Sequence, residues 1–240
     1  MLDRYLTQIS FPKLFPEGQR KIRSTSVAVV GVGGTGSHIS ELMVRMGFGK
    51  VKIVDHDTVE LSNLNRQSLY DEEDIGRPKV YAAHEKLTKI NREVEVIPVN
   101  LKVTEENADE ILGDVNIIMD GTDSFGTRGV LNKFSIEKEK IFIFSAVEGS
   151  SGMAKAIIPG RTACLECIGY PTTGDSIPCS VNGLIPSVVE IAASISVTLA
   201  IKSILGYAED EIIVFDSWDF SLEKIKTKKN PHCEVCGFKA

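Results

Sequence analysis

Short apolar runs punctuate the first 150 residues of the chain. Residues 27–31 (VAVVG), 51–55 (VKIVD) and 115–120 (VNIIMD) are almost wholly apolar and end in Gly or Asp, and 141–146 (IFIFSA) is similar. Uninterrupted β-branched stretches of this length predict strands buried on both faces, as in a parallel sheet. Between them the pattern turns helical at about 35–46, 78–90, 104–112 and 124–137. The alternation predicts βαβ units and an α/β fold built on a Rossmann-like, doubly wound sheet.

The pattern changes after residue 146. Residues 153–158 predict a further strand. The stretch 161–183, with Pro171, Gly174, Pro178 and Gly183, reads as loop, and 170–183 as its mobile part. Residues 186–205 are apolar, but Glu190 and scattered Ser and Thr predict a buried core helix rather than a membrane span. Residues 212–215 and 222–225 predict two closing strands, antiparallel to the rest. No repeat, low-complexity tract or linker interrupts 1–240, which reads as a single domain.

Composition narrows the function. Lys plus Arg number 27 against 33 Asp plus Glu, a net charge of −6, which argues against nucleic acid as a partner. Mean hydropathy is close to zero, and the N-terminal stretch has no apolar run behind a basic end, so neither a signal peptide nor a membrane partner is expected. The five cysteines, at 164, 167, 179, 233 and 236, form two Cys-x-x-Cys pairs plus one. An odd count argues against a disulfide framework and fits a cytoplasmic protein. Two thiolate pairs (Cys164 with Cys167, Cys233 with Cys236) can close a tetrahedral zinc site with no open position. A disulfide or free thiols are the alternatives. His232 reads as a bystander to that set.

Gly31-Val-Gly33-Gly34-Thr-Gly36 follows the first strand and opens a helix. In that context Gly31 allows the tight turn, Gly33 lets a phosphate approach the backbone, and Gly36 lets the helix pack on the sheet. Asp55 ends the second strand, where an acid binds ribose hydroxyls. An NAD-dependent oxidoreductase would carry the same signature. The following DHDTVELSNLNRQ places Asp57, Asn63, Arg66 and Gln67 beyond the ribose acid, and Lys79 follows at a helix start. A triphosphate site needs such cations and a hydride-transfer site does not, although a solvated surface loop would read alike. Asp123, in DGTDSFGTR after another strand, is placed to hold magnesium or to cap the next helix, a role open to Ser124 as well.

GVGGTGSH, DHDTVELSNLNRQ, IGRPK, DGTDSFGTR and the two Cys pairs, in that order over nearly the whole chain, resemble the ThiF/MoeB/HesA family, relatives of ubiquitin-activating enzymes. The resemblance implies a homodimeric adenylyltransferase. It would use ATP and Mg2+ to activate the C-terminal glycine carboxylate of a Gly-Gly-ended, ubiquitin-like sulfur carrier of the thiamine, molybdopterin or tRNA-thiolation type. By the same resemblance Gly33, Gly34 and Gly36 form the nucleotide loop, joined by Gly31 and Asp57, and Asp55 holds the ribose. Asn63, Arg66, Gln67 and Lys79 contact phosphates, and Asp123 coordinates Mg2+, so Arg66, Lys79 and Asp123 count as catalytic. The four paired cysteines hold Zn2+, and Cys179 accepts the activated carrier as a thioester or acyl persulfide in some relatives. One departure is Thr7, which stands where the family's RYxRQ motif has a second Arg that reaches into the partner subunit. Either Arg4, Arg20 or Arg23 substitutes, or the arginine reaching into the partner subunit is lacking. Adenylation of a small-molecule or peptide carboxylate remains an alternative. So does a non-catalytic module using the zinc pairs and Lys224, Lys226, Lys228 and Lys229.

Overall fold

The computed structural model describes residues 3–174 and 183–237. The apolar runs form β1 (Ser26–Val30), β2 (Lys50–Val54), β4 (Ile117–Asp120) and β5 (Ile141–Glu148). A strand absent from the sequence reading, β3 (Glu95–Val99), pairs in parallel with β2. It escapes pattern analysis because it lies at the sheet edge, where Pro98 is tolerated without a ladder donor and only part of the strand is buried. β6 (Ser151–Ile157), β7 (Glu211–Asp216) and β8 (Ser221–Lys226) complete one eight-stranded sheet in the order β3-β2-β1-β4-β5-β6-β7-β8. The pairs from β3 through β5 are parallel and those from β5 through β8 antiparallel.

The helices are α1 (Leu6–Ile9), α2 (Phe15–Arg23), α3 (Gly34–Met46), α4 (Lys79–Ile90), α5 (Ala108–Leu112), α6 (Phe125–Glu137) and α7 (Pro186–Leu205). α5 begins later than its apolar pattern suggests. The Asn107 carboxamide accepts from Thr104 N at 2.8 Å and holds 104–107 in a turn, a local bond that competes with the helix.

Alternate residues of the central strands serve opposite cores. Val27, Val29, Ile53 and Met119 pack with Ile39 and Met43 of α3, Leu87 of α4 and Val197 of α7. Ala28, Val30, Ile118 and Phe144 pack with Ile111 of α5, Leu131 of α6, Cys164 and Cys236. That two-sided burial is why the runs are continuous rather than alternating, and each buried Val, Ile or Phe contributes about 1.5–3 kcal/mol. α7 is the one helix among the described residues long and apolar enough to cross a membrane, but half of its apolar window is buried. Its Ala193, Val197 and Ala200 complete the first core.

The chain winds outward from β1 through β2 to β3, then returns to place β4 on the other side of β1. The crevice beyond the carboxyl ends of β1 and β4 lies at this reversal, where open α/β sheets bind ligands.

Candidate active site

A cleft of about 710 Å³ opens at that point. It is lined by Gly31, Gly33 and Gly34, then by Asp55, Asp57, Asn63, Arg66, Gln67 and Lys79, and on the opposite side by Asp123. Gly36 does not line it. Its absent Cβ would fall 1.8 Å from Gly31 O, and one on Gly121 would fall 2.2 Å from the same oxygen. The ends of β1 and β4 and the start of α3 therefore touch backbone to backbone, while Gly31 itself sits at φ +83°.

The glycine turn is held from both sides of Val32. Its N–H donates to Asp55 Oδ2 at 2.7 Å, and its carbonyl accepts from Tyr70 Oη at 2.8 Å. Burial, then the nearby Asp55 charge, push the Tyr70 phenol well above its ordinary pKa, so it remains a donor. Asp55 Oδ1 accepts from Asp57 N at 2.9 Å. Asp55, His56 and Asp57 bring ligand atoms within 4.8 Å of one another; each Asp55 oxygen accepts one backbone N–H and keeps a lone pair facing the cleft, and Asp57 pairs with Lys79.

The polar segment after Asp55 is largely exposed, but it turns Asn63 and Gln67 inward to buried positions in the cleft. Asn63 Oδ1 accepts from Glu60 N at 3.2 Å, closing a short helical turn, Leu61–Asn63. Arg66 Nη1 donates to Ser62 O and Asn65 Oδ1, both at 2.9 Å. Lys79 is almost fully buried at the start of α4 with its Nζ 3.1 Å from Asp57 Oδ2. Gln67 is at least as buried, yet its Oε1 has no hydrogen-bond partner. Its Nε2 stands 3.6 Å from where a Cβ on Gly33 would lie. An orphaned buried carboxamide beside an open glycine backbone fits a polar ligand seated on the turn.

On the opposite side Ser124, not Asp123, caps α6: its Oγ accepts from Thr127 N at 3.2 Å. Asp123 is thereby left exposed in the cleft with its carboxylate available to a cation.

Residues 5–235 match the ThiF family. The chain belongs to the ThiF family. It is 35% identical, over its full length and 73% of the relative, to the sulfur carrier protein ThiS adenylyltransferase of Bacillus subtilis. It is 33% identical, over 98% of this chain and 91% of the relative, to a sulfur carrier protein adenylyltransferase of Thermus thermophilus. A solved structure of Escherichia coli MccB with ATP superposes with a TM-score of 0.79 at 24% identity, over 92% of this chain and 69% of that one. The last likeness is one of fold.

In this ThiF-family chain the four paired cysteines stand apart from the cleft lining. All four are free thiols whose sulfurs lie within 4.8 Å of one another. Cys164–Cys167, Cys164–Cys233 and Cys167–Cys236 are 3.9, 3.6 and 3.3 Å apart. Sulfurs bound about 2.3 Å from one tetrahedral zinc ion stand about 3.8 Å apart, so the cluster is compatible with zinc. Asn230 N donates to Cys167 Sγ at 3.3 Å. Fully buried Lys155 of β6 reaches Asp210 Oδ1 and Thr227 Oγ1, each at 2.7 Å, and Asp210 also accepts from Ala163 N. That clamp fixes the segments leading into both cysteine pairs. Cys179 lies outside the described residues, as do 175–182 of the loop expected over 170–183.

Several contributors were not singled out from sequence. Leu101, Lys102 and Val103 line the cleft and were missed with β3, whose end they follow. Tyr70 and Tyr170 carry no local signal, because their contacts depend on the tertiary fold. Arg4, exposed, donates to Ile90 O at 3.1 Å, and Arg20 pairs with Glu17 at 2.5 Å. Neither they nor Arg23 line the cleft of their own chain.

Proposed function

We propose that this chain is an ATP-dependent adenylyltransferase acting on the C-terminal glycine carboxylate of a ubiquitin-like sulfur carrier. The observation that carries this reading is the composition of the large cleft. One end gathers the glycine turn, Asp55, Arg66, Lys79 and Asp123. The other continues over Ala146, Val147, Gly152, Met153 and Val214, an apolar floor suited to an extended tail of small residues. The relatives' names, sulfur carrier protein adenylyltransferases, agree with it.

The chemistry follows from these groups. Asp55 orients the ribose, with the Val32 and Asp57 amides holding its carboxylate in place. The open backbone at Gly33 and the Gln67 Nε2 beside it donate to phosphate oxygens, while the unpartnered Gln67 Oε1 is free to accept from a donor on the nucleotide. Arg66 and Lys79 neutralise charge on the polyphosphate. Asp123 would hold Mg2+, which supplies Lewis-acid neutralisation of the phosphates. The attacking carboxylate is already ionised at neutral pH, so no general base is needed. Its oxygen bonds to the α-phosphorus as the bond to the β-phosphate oxygen breaks, and that electron pair leaves with pyrophosphate. Catalysis is then mainly positioning and charge neutralisation. The four-cysteine cluster would hold Zn2+ as a structural ion. A homodimer is part of the reading, by family resemblance, with the N-terminal segment as the element to test for a contribution to the partner's site.

The test is pyrophosphate–ATP exchange with a Gly-Gly-ended carrier. Exchange should require the carrier's terminal carboxylate and fall by about a hundredfold or more in Asp123→Ala, the scale for losing a group that stabilises transferring charge. Absence of exchange with carriers of the thiamine, molybdopterin and tRNA-thiolation types would defeat the reading.

A further inference from the structure

Arg128 lies on the first turns of α6, 5% exposed, and no step described so far uses it. Its guanidinium joins four separate places. Nε donates to Asp120 Oδ2 at 2.9 Å, and Nη2 to Thr122 O at 2.5 Å and Ser145 O at 3.1 Å. Nη1 donates to Tyr170 Oη at 2.9 Å. Asp120, fully buried, accepts at Oδ1 from both Thr122 N and Thr122 Oγ1, at 2.9 and 3.0 Å. The Thr122 residue is therefore gripped at its amide by Asp120 and at its carbonyl by Arg128. That carbonyl belongs to the peptide unit leading directly into Asp123.

The Tyr170 side of the guanidinium is equally built. Its ring stands 4.5 Å from that of Phe144 and 6.0 Å from that of Phe125. The Arg128 guanidinium carbon lies 5.6 Å from the Phe144 ring centre and 5.7 Å from that of Tyr170. One residue along α6, a Cβ on Gly129 would fall 2.3 Å from Thr172 O, so the backbone after Tyr170 rests flat on the helix. Tyr170 N in turn donates to Leu165 O at 3.1 Å, within the first cysteine pair's turn. Tyr170 and Asp123 both line the cleft.

We propose that Arg128 is a positioning residue for the nucleotide site, fixing the Asp123 carboxylate where it receives the cation and docking Tyr170 as the facing wall. The inference rests on the adenylation reading only for the identity of the nucleotide, since the geometry it explains is that of Asp123. A planar, forked guanidinium is required. A lysine keeps the charge opposite Asp120 but cannot reach Thr122 O, Ser145 O and Tyr170 Oη at once.

The variants are Arg128→Lys and Tyr170→Phe, with Arg128→Lys repeated in an Asp123→Asn background. The probe is Mn2+ with ATP, its affinity measured by electron paramagnetic resonance, beside the melting temperature of each protein. Loss of an outer partner that orients a metal ligand costs about 10–100-fold in metal affinity. Arg128→Lys is therefore expected to weaken Mn2+–ATP binding about tenfold with Asp123 present, and less than about twofold in the Asp123→Asn background. Tyr170→Phe, which removes one hydroxyl and should fold normally, is expected to shift affinity the same way by a smaller factor. An equal loss in both backgrounds, or variants that melt lower yet bind Mn2+–ATP as the unmodified protein does, would overturn the proposal and leave Arg128 a purely structural ion-pair partner. An unmodified protein that binds Mn2+–ATP but catalyses no carrier-dependent exchange would defeat the adenylation reading alone.

Discussion

Gly36→Ala and Gly33→Ala, three residues apart in one glycine turn, should fail in opposite ways. A methyl at Gly36 would sit 1.8 Å from Gly31 O, 2.8 Å from Gly31 C and 3.4 Å from Gly121 Cα. Overpacking against side chains costs about 1–3 kcal/mol. Here the obstacles are the backbones ending β1 and β4, pinned by the sheet, so about 3 kcal/mol or more is expected. In a domain of this size each kcal/mol moves the melting temperature by about 2–4 °C, which makes the fall about 6–12 °C or larger. At Gly33 the φ is an ordinary −84° and the nearest atom to the new methyl is Gln67 Nε2 at 3.6 Å. The structural cost is about 1 kcal/mol, for a poorer helix cap. That methyl does occupy the approach to the backbone, so ATP affinity should fall at least about tenfold, the loss of about 1.4 kcal/mol. Thermal melts followed by circular dichroism, with and without Mg–ATP, separate the two. Gly36→Ala melting within 2 °C of the unmodified protein would refute the close contact of β1, β4 and α3, a margin well inside the expected shift. An undiminished ATP-induced stabilisation in Gly33→Ala would refute the phosphate-facing assignment.

Three further outcomes follow from other parts of the molecule. Burial pushes the Cys164 thiol up to about 11 in the metal-free cluster and raises Cys236 as well. Zinc must therefore displace protons, and its affinity, measured by competition with a chelating dye, should fall as pH is lowered from 8 to 6, on the order of tenfold per unit for each proton released. Asp216 is held down to about 2 by hydrogen bonds from Ser151, Asp219 N, Ser150 and Trp218 N. A carboxyl depressed in the fold stabilises above its unfolded pKa of about 4 and loses that contribution as pH falls towards 2. The melting-temperature gap between the unmodified protein and Asp216→Asn should accordingly close over that window. Cys179→Ala should leave pyrophosphate exchange intact, since adenylation needs no thiol, and abolish any dithiothreitol-sensitive carrier conjugate. Persistence of such a conjugate would dismiss Cys179 as the acceptor.

What the sequence reveals depends on whether a constraint is local. The strands buried on both faces announce themselves because nearly every one of their residues is apolar, whichever core it enters, with Lys52 paired to Asp114 as an exception. β3 does not, because at the sheet edge Glu95 and Pro98 cost little. The glycine turn is legible because phosphate approach, a positive φ and helix packing each demand the same residue within a few positions. Between Asp123 and Ser124 the sequence leaves the helix cap undecided, as either side chain can serve, and the bond from Thr127 N to Ser124 Oγ decides it. The Asp120–Arg128–Tyr170 network is invisible beforehand, since its members are joined by contacts up to 42 residues apart and each is individually unremarkable. The cysteine pairs show the same division: the spacing within a pair is written locally, whereas the meeting of the two pairs is a property of the folded chain.

With a metal ion bound, that meeting turns the antiparallel half into a closed ring. The ring runs from the turn at Cys164 through α7, β7 and β8 and returns at Cys236. β8 is an exposed edge strand paired along one side only, the sort of segment that peels away at little cost. Its far end is moored through the cysteine cluster, so peeling it back requires the ion to leave. Metal supply then sets how often this edge opens, because an ion that binds only the closed form adds RT ln(1 + [Zn]/Kd) to the cost of opening. Under zinc starvation, peeling of β8 would uncover the edge of β7 beside the already exposed Trp218 and Phe220, a template for pairing with other chains. With zinc held there, the cluster would make the lifetime of the folded chain, and not only its fold, a function of the metal in its surroundings.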